Sequence, residues 1–250
     1  AFFPSPYTEA AIVTLDGVGE WETTCIGYGA GLCVRLDESI HFPHSVGLLY
    51  SALTAYLGFR VNDGEWKVMG LAPYGQPKYI NEFRELLHLR DDGSFSLNME
   101  YFAYHWSHKY PFRRKKWEAL FGFPMRDSDE PIRQEHEDLA HSGQSIVEKI
   151  ICGIARYDKE KYQTENLVIA GGVGLNSVAN WKIEQEKIFQ NVWIQPAAGD
   201  DGGSLGAALY VSHHLYDDLR YPMVHAYLGP EYEDDEIADF LNTCDIPYER

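Results

Sequence analysis

The chain has 250 residues, enough for one large domain or two small ones, and its 45% apolar and 24% charged content is ordinary for a soluble globular protein. With 21 Lys and Arg against 38 Asp and Glu, the net charge of −17 argues against an extended nucleic-acid surface, because phosphate contacts need clustered cations. No run reaches the ~20 apolar residues of a membrane span, no basic stretch opens a signal peptide, and Cys25, Cys33, Cys152 and Cys244 lack CxxC spacing, so the expectation is a cytoplasmic protein with reduced, mostly buried thiols.

In chain order, residues 10–16 (AAIVTLD) read as a buried strand ending at the turn GVGE. Residues 21–28 and 31–36 add two strands through the glycine-rich GYGAG, which predicts an antiparallel β-meander whose first turn carries Asp16, Gly17 and Gly19. Val46, Leu49, Leu53, Tyr56 and Leu57 fall at helical spacing, and Gly58 closes that helix. APYGQP predicts a loop, residues 78–89 a short charged helix, and residues 91–127 an irregular, aromatic insertion. Within it, the basic cluster Arg113 to Lys116 reads as a solvated loop edge.

The longest helix follows, over EPIRQEHEDLAHSGQSIVEKIICGIARY, with Leu139, Ile146, Ile150 and Ile154 on one face. A strand (Asn166 to Ala170) then leads through GGVGLN into a helix to about Gln190. A second (Val192 to Gln195) leads through PAAGDDGG into a helix to about His214. Strand, glycine turn and helix, twice over, predict α/β architecture with the ligand beyond the strand ends.

The turns hold the candidate chemistry. Gly202, Gly203 and Gly206 let backbone approach a ligand closely, and the helix starting there directs free N–H groups and a positive dipole end toward it. One of Asp200 and Asp201 suffices as a helix cap. Two carboxylates beside an anion call for a cation between them, so a metal ligand plus a cap is the economical account. AGGVGLN lacks the full GxGxxG of a dinucleotide loop and reads equally as a tight turn or as a nucleotide contact through Gly171, Gly172 and Asn176. His41 and His44 flank Phe42 and Pro43 ahead of a helix and are candidates to touch substrate, whereas His105 and His108 read as packed or solvated histidines. Tyrosines and tryptophans are assigned to the core by default.

A hairpin Asp-Gly turn, a GG turn and a GD turn, in that order, resemble the actin, hexokinase and heat-shock ATPase superfamily. AAIVTLDGVGEW, FPHSVGLLYSALTAYLGF, EWKVMGLAPYG, GGVGLN and GDDGGSLGAAL narrow this to a resemblance to the O-carbamoyltransferases that act on nodulation factors, cephalosporins and aminoglycosides. It covers about residues 1–228.

The resemblance implies an incomplete actin-like ATPase (ribonuclease H-like) fold over residues 1–226 and, over 227–250, the start of a C-terminal domain that forms carbamoyl-adenylate. It implies transfer of a carbamoyl group, from carbamoyl phosphate through a carbamoyl-adenylate made with ATP, to a hydroxyl of a small molecule or saccharide. The family's metal, often iron, is held by two histidines of an HxxxH-type motif and two aspartates. The aspartates fall on Asp16 and Asp200, whereas HxxxH would precede AFFPSP and is absent here. The nucleotide-binding GG and Asn fall on Gly171, Gly172 and Asn176. On this reading the chain is the middle of a longer enzyme and is inactive alone. The base is not revealed; His44, Asp63 and Glu65 are its candidates. Two other readings stand beside it, a sugar or acetate kinase of the same superfamily and a non-catalytic ATP-dependent interaction module.

Overall fold

The computed structural model describes residues 1–107, 110–216 and 219–249; His108 lies outside them. Its centre is a five-stranded sheet of β1 (Glu9–Leu15), β2 (Glu22–Ala30), β3 (Cys33–His41), β6 (Asn166–Ala170) and β7 (Asn191–Ile194), in the order β3-β2-β1-β6-β7. The β1–β2 and β2–β3 pairs are antiparallel, which is the expected meander, while β6 and β7 run parallel to β1. β1, β6 and β7 therefore release the chain at the same sheet edge, and the three glycine turns gather there.

Alternation along β1 divides the core. Ala11, Val13 and Leu15 face the larger apolar cluster, with helices α1 (Val46–Tyr56), α5 (Gln134–Tyr162) and α6 (Ser177–Gln185) on that side. Ala10 and Ile12 face the opposite side, where Phe2, Phe3 and Val168 are buried and Leu209 packs from α7 (Gly203–Leu215). Arg220 secures this second layer. Its guanidinium lies 4.2 Å from the Phe2 ring and donates to the carbonyls of Phe2 (2.7 Å) and Gly31 (3.2 Å).

Four sequence expectations are corrected. Residues 91–127 are not an irregular insertion: β5 (Phe95–Leu97) pairs with β4 (Leu87–Leu89), and α4 (Arg114–Phe121) buries Trp117 and Phe121. Trp117 stacks on Phe112 at 4.7 Å, and both meet Tyr56 of α1, so the aromatics are a lobe of the main core. The charged helix of 78–89 shortens to α3 (Ile80–Leu86) because its last residues pair as β4. α6 ends at Gln185 rather than near Gln190. The basic cluster starts α4, where Arg114 pairs with Glu118 at 2.7 Å and Lys116 with Glu100 at 2.9 Å.

Side-chain burial also departs from default. Cys25 and Cys152 are buried, but Cys33 and Cys244 are exposed, and all four are free. Of the tryptophans, Trp117 is buried, whereas Trp21, Trp66, Trp106 and Trp181 are more than half exposed. From 227 to 249 no residue is buried, and α8 (Asp234–Thr243) leaves Ile237 and Phe240 in solvent. No helix among the described residues is long and apolar enough to cross a membrane.

Candidate functional site

At the edge where β1, β6 and β7 end, the β1 turn comes first. Asp16 follows Leu15, and its carboxylate accepts the Gly17 N–H at 2.7 Å. Ser45, the N-cap of α1, donates to the Gly17 carbonyl at 2.6 Å and accepts the Leu48 N–H at 3.0 Å, locking the helix start onto the Asp16 turn.

The β6 turn passes directly over it. Gly171 has φ of +91°, and a Cβ there would meet the Leu15 carbonyl oxygen at 2.1 Å, so only glycine lets β6 turn across the end of β1. A Cβ on Gly172 would lie 3.5 Å from the Asp16 carboxylate. The Gly171 N–H donates to Ala198 at 2.8 Å, which joins this turn to the one after β7. In that third turn, a Cβ on Gly202 would meet the Ala197 carbonyl oxygen at 2.0 Å. Gly202 is thus required by the chain's own backbone, while Gly203 faces open space.

Beside these turns opens a cleft of ≈ 460 Å³, within the roughly 300–1,000 Å³ of small-molecule sites. Asp16, Gly17, Gly172 and Asn176 line it. So do Asn62, Asp63, Glu65 and Trp66, which form a largely exposed lip from α2 (Glu65–Leu71) and the turn before it. Sequence reasoning missed this helix: it has seven residues and no capping side chain, and its signal was confined to the carboxylates of Asp63 and Glu65. One Glu65 oxygen accepts both the Ser51 hydroxyl and the Asn62 N–H at 3.0 Å, holding Asn62 at a φ of +61°. Asp63 is exposed and takes no hydrogen bond among the described residues.

Behind the wall lies a buried polar chain. The Tyr50 hydroxyl donates to Gln144 at 2.8 Å, and Gln144 and Asn176 exchange two hydrogen bonds of 3.0 Å. Asn176 also accepts the Ala179 N–H at 3.0 Å and so caps α6. Burial, with Glu148 and Glu65 nearby, raises the Tyr50 hydroxyl well above its ordinary range and keeps it a neutral donor.

Of the residues singled out from sequence, Asp16, Gly172 and Asn176 line the cleft, Gly171 shapes it, and Asp200, Gly202 and Gly203 occupy the adjoining turn outside its lining. The Asp200 carboxylate is exposed, accepts no hydrogen bond among the described residues and caps neither its own short turn nor α7. The cap half of the metal-plus-cap account is therefore withdrawn. His44 does not line the cleft. Its Nδ1 accepts the Leu97 N–H at 3.1 Å, which fixes the ring proton on Nε2 and occupies the lone pair a base would use. Burial lowers its pKa further.

For a metal, Asp16 and Asp200 offer hard oxygen donors on adjoining turns, yet among the described residues no three His, Cys, Asp or Glu side chains gather to hold an ion. The aspartates do not amount to a complete iron site, and no chemical step is derived through a metal.

The α/β domain thus sets three glycine turns at one edge of its sheet, beside a cleft of ligand size. The chain belongs to the carbamoyltransferase N-terminal family, whose model matches residues 1–209. It is 48% identical over 247 residues to the uncharacterized protein sll1178 of Synechocystis sp., covering 96% of this chain and 40% of that protein. It is 32% identical over 241 residues to the nodulation protein NolNO of Sinorhizobium fredii, covering 96% and 33%. The chain thus spans under half the length of these relatives. The solved structure of HypF from T. kodakarensis aligns with a TM-score of 0.36 and 15% identity, over 84% of this chain and 34% of that one.

Proposed function

We propose that this chain is the carbamoyl-transfer part of an O-carbamoyltransferase, using carbamoyl phosphate and ATP, by way of a carbamoyl-adenylate, to modify a hydroxyl of a small molecule or saccharide. The observation that carries the reading is the convergence of the Asp16, Gly171 and Ala198 turns beside one cleft, in a chain of this family. Three antiparallel strands followed by two parallel ones support an actin-like ATPase (ribonuclease H-like) assignment for residues 1–226, with 227–250 opening a further domain.

Transfer to a hydroxyl forms a bond from the acceptor oxygen to the carbamoyl carbon, breaks the bond to the adenylate phosphate and releases one proton. Two demands follow: donors for the charge that develops on the carbonyl oxygen, and a base for the proton. For the first, the Gly172 backbone, which lines the cleft beside Asp16, is the candidate donor. For the second, Asp63 and the free oxygen of Glu65 are on the lip, and His44 has its lone pair engaged. A metal held by Asp16, Asp200 and donors from elsewhere would add electrostatic stabilisation of the phosphate and carbonyl.

Calorimetric titration of ATP with Mn²⁺ tests the reading. Heat of binding at micromolar to millimolar ATP is expected, and its absence both here and in a chain extended at each end would end it. Release of ADP from ATP with a sugar, without carbamoyl phosphate, would favour the kinase. Binding of ATP with no carbamoyl phosphate consumed by the extended chain would favour the interaction module.

A further inference from the structure

A second hollow, of ≈ 110 Å³, is lined from β2, β3, α5 and the turn that joins β4 to β5, and shares no lining residue with the cleft. One water needs roughly 10–15 Å³, so there is room for a molecule of several heavy atoms. Two glycines press the turn onto α5. Gly93 has φ of +79°, a Cβ on it would meet the Ile154 nitrogen at 2.1 Å, and one on Gly153 would meet the Gly93 Cα at 2.6 Å. Backbone lies on backbone there. The turn closes through the Gly93 N–H, which donates to the Arg90 carbonyl at 3.0 Å, and the Ser94 N–H, which donates to the Asp92 carboxylate at 2.8 Å. Asp92 is thereby held at the hollow.

We propose that this hollow binds a short aliphatic primary amine, at a site that the carbamoyl-transfer reading does not use. Ile26 and Ile154, both buried, supply apolar lining for a run of methylenes. The two charged residues of the lining, Glu38 and Asp92, are carboxylates, and no Lys, Arg or His lines it. Glu38 already takes an ammonium group. Its Oε1 accepts from Lys161 Nζ and from the Tyr157 hydroxyl, the latter at 2.9 Å, and no hydrogen bond reaches its Oε2 among the described residues. The independent sign of a ligand is Thr24. It lines the hollow, is 2% exposed, and its hydroxyl oxygen is buried with no partner among the described residues. A buried hydroxyl left unpaired costs stability, which a donor on a bound molecule restores. An ammonium group carries three donors, one for each of Glu38, Asp92 and Thr24. An alcohol has one donor and no charge, and the two carboxylates repel an acid. Lys161, on Glu38, and Arg90, near Asp92, stand outside the lining and temper the attraction, so binding is weak.

Saturation-transfer NMR on the 250-residue chain tests this with n-butylamine, n-butanol and butyrate, which share one carbon chain length. Butylamine is expected to receive saturation at its methylene protons, with a dissociation constant on the order of 1–10 mM for a ligand of this size. Butanol and butyrate should give at least about fivefold less. Thr24→Val keeps the side-chain shape and removes the unpartnered hydroxyl. It should leave the melting temperature unchanged or higher and reduce the butylamine signal at least about threefold. Glu38→Gln and Asp92→Asn should each reduce it at least about fivefold, while Asp91→Asn, at an exposed carboxylate outside the lining, should leave it unchanged. Equal saturation of butanol, or a butylamine signal that survives Thr24→Val or the combined Glu38→Gln and Asp92→Asn variant, overturns the proposal. A lowered melting temperature in Thr24→Val does the same, because the hydroxyl would then have a partner of its own. So does an equal loss in Asp91→Asn, which would reduce the effect to the net charge of −17. No probe needs nucleotide or metal, and the hollow shares no lining residue with the cleft, so the result is independent of whether ATP binds.

Discussion

Gln144 of α5 and Asn176 of the β6 turn exchange two hydrogen bonds of 3.0 Å, amide to amide, in a wall of the cleft. Thirty-two positions separate them in the chain, and Asn176 is 9% exposed. The same Asn176 oxygen caps α6, so one side chain ties a glycine turn, a helix start and the long helix together.

Asn176→Ala should therefore act on stability before it acts on binding. It removes the cap and leaves the Gln144 amide short of a partner in a buried place, which together cost on the order of 2–3 kcal/mol. Urea denaturation should show the midpoint fall with little change in slope. A change under ~0.5 kcal/mol, in the range of ordinary surface substitutions, would mean the pair is not structural and would return Asn176 to a ligand-contacting role alone.

The turn glycines are not equivalent, and the difference is measurable. Gly171→Ala combines a φ of +91° with a Cβ placed 2.1 Å from the Leu15 carbonyl. It should cost more than ~3 kcal/mol and yield little folded protein. Gly203→Ala, with nothing within 4 Å of the added carbon, should be neutral or slightly stabilising by ~0.5 kcal/mol. Soluble yield and circular dichroism melting of the two variants check this, and equal behaviour would contradict the geometry.

Much of this arrangement was legible in sequence, for identifiable reasons. β6, running from Asn166 to Ala170, was delimited because a short apolar run meets a glycine pair that cannot continue it. The meander followed from Asp16-Gly17 and GYGAG in the same way. The Gln144–Asn176 pair was not legible, because no local pattern relates two amides so far apart. Nor was the lobe around Trp117: its order comes from Tyr56, Phe102 and Phe112 meeting in three dimensions, and its short elements carry too few turns to show a period. The default burial of tryptophan failed at Trp66, which marks the cleft's mouth.

Asp158 gives the chain a pH-dependent stability. It sits fully buried near the end of α5, with both carboxylate oxygens unpartnered among the described residues. Burial raises its pKa from 3.8 to about 8. Lys161 of the same helix opposes that rise, and Asp37 and Glu38 of β3 reinforce it. Across the window from about pH 4 to about pH 8 the folded chain holds a proton that the unfolded chain releases. The stability contribution is thus full below pH 4 and declines as pH rises to 8. Asp158→Asn should raise stability by on the order of 2–4 kcal/mol at pH 8 and by less than ~1 kcal/mol at pH 4. Melting curves at the two pH values decide it. An equal effect at both would assign the change to packing.

Asp200 and Asp201 are adjacent, both exposed, and differ in what they are proposed to do. The Asp200 carboxylate accepts no hydrogen bond among the described residues and caps no helix. Asp200→Asn should therefore alter stability by less than ~0.5 kcal/mol. If Asp200 and Asp16 hold a cation beside a phosphate, the same substitution should weaken Mn²⁺-dependent ATP binding at least tenfold, since it removes one of two anionic donors. Asp201→Asn should leave that affinity within about threefold, less than 1 kcal/mol in binding free energy. Calorimetry on the three chains, with a denaturation curve for each, separates the outcomes. Loss of binding with unchanged stability in Asp200→Asn alone assigns the carboxylate to the metal. Equal loss in both variants would reduce the pair to a diffuse negative field, and unchanged binding in both would remove Asp200 from the site.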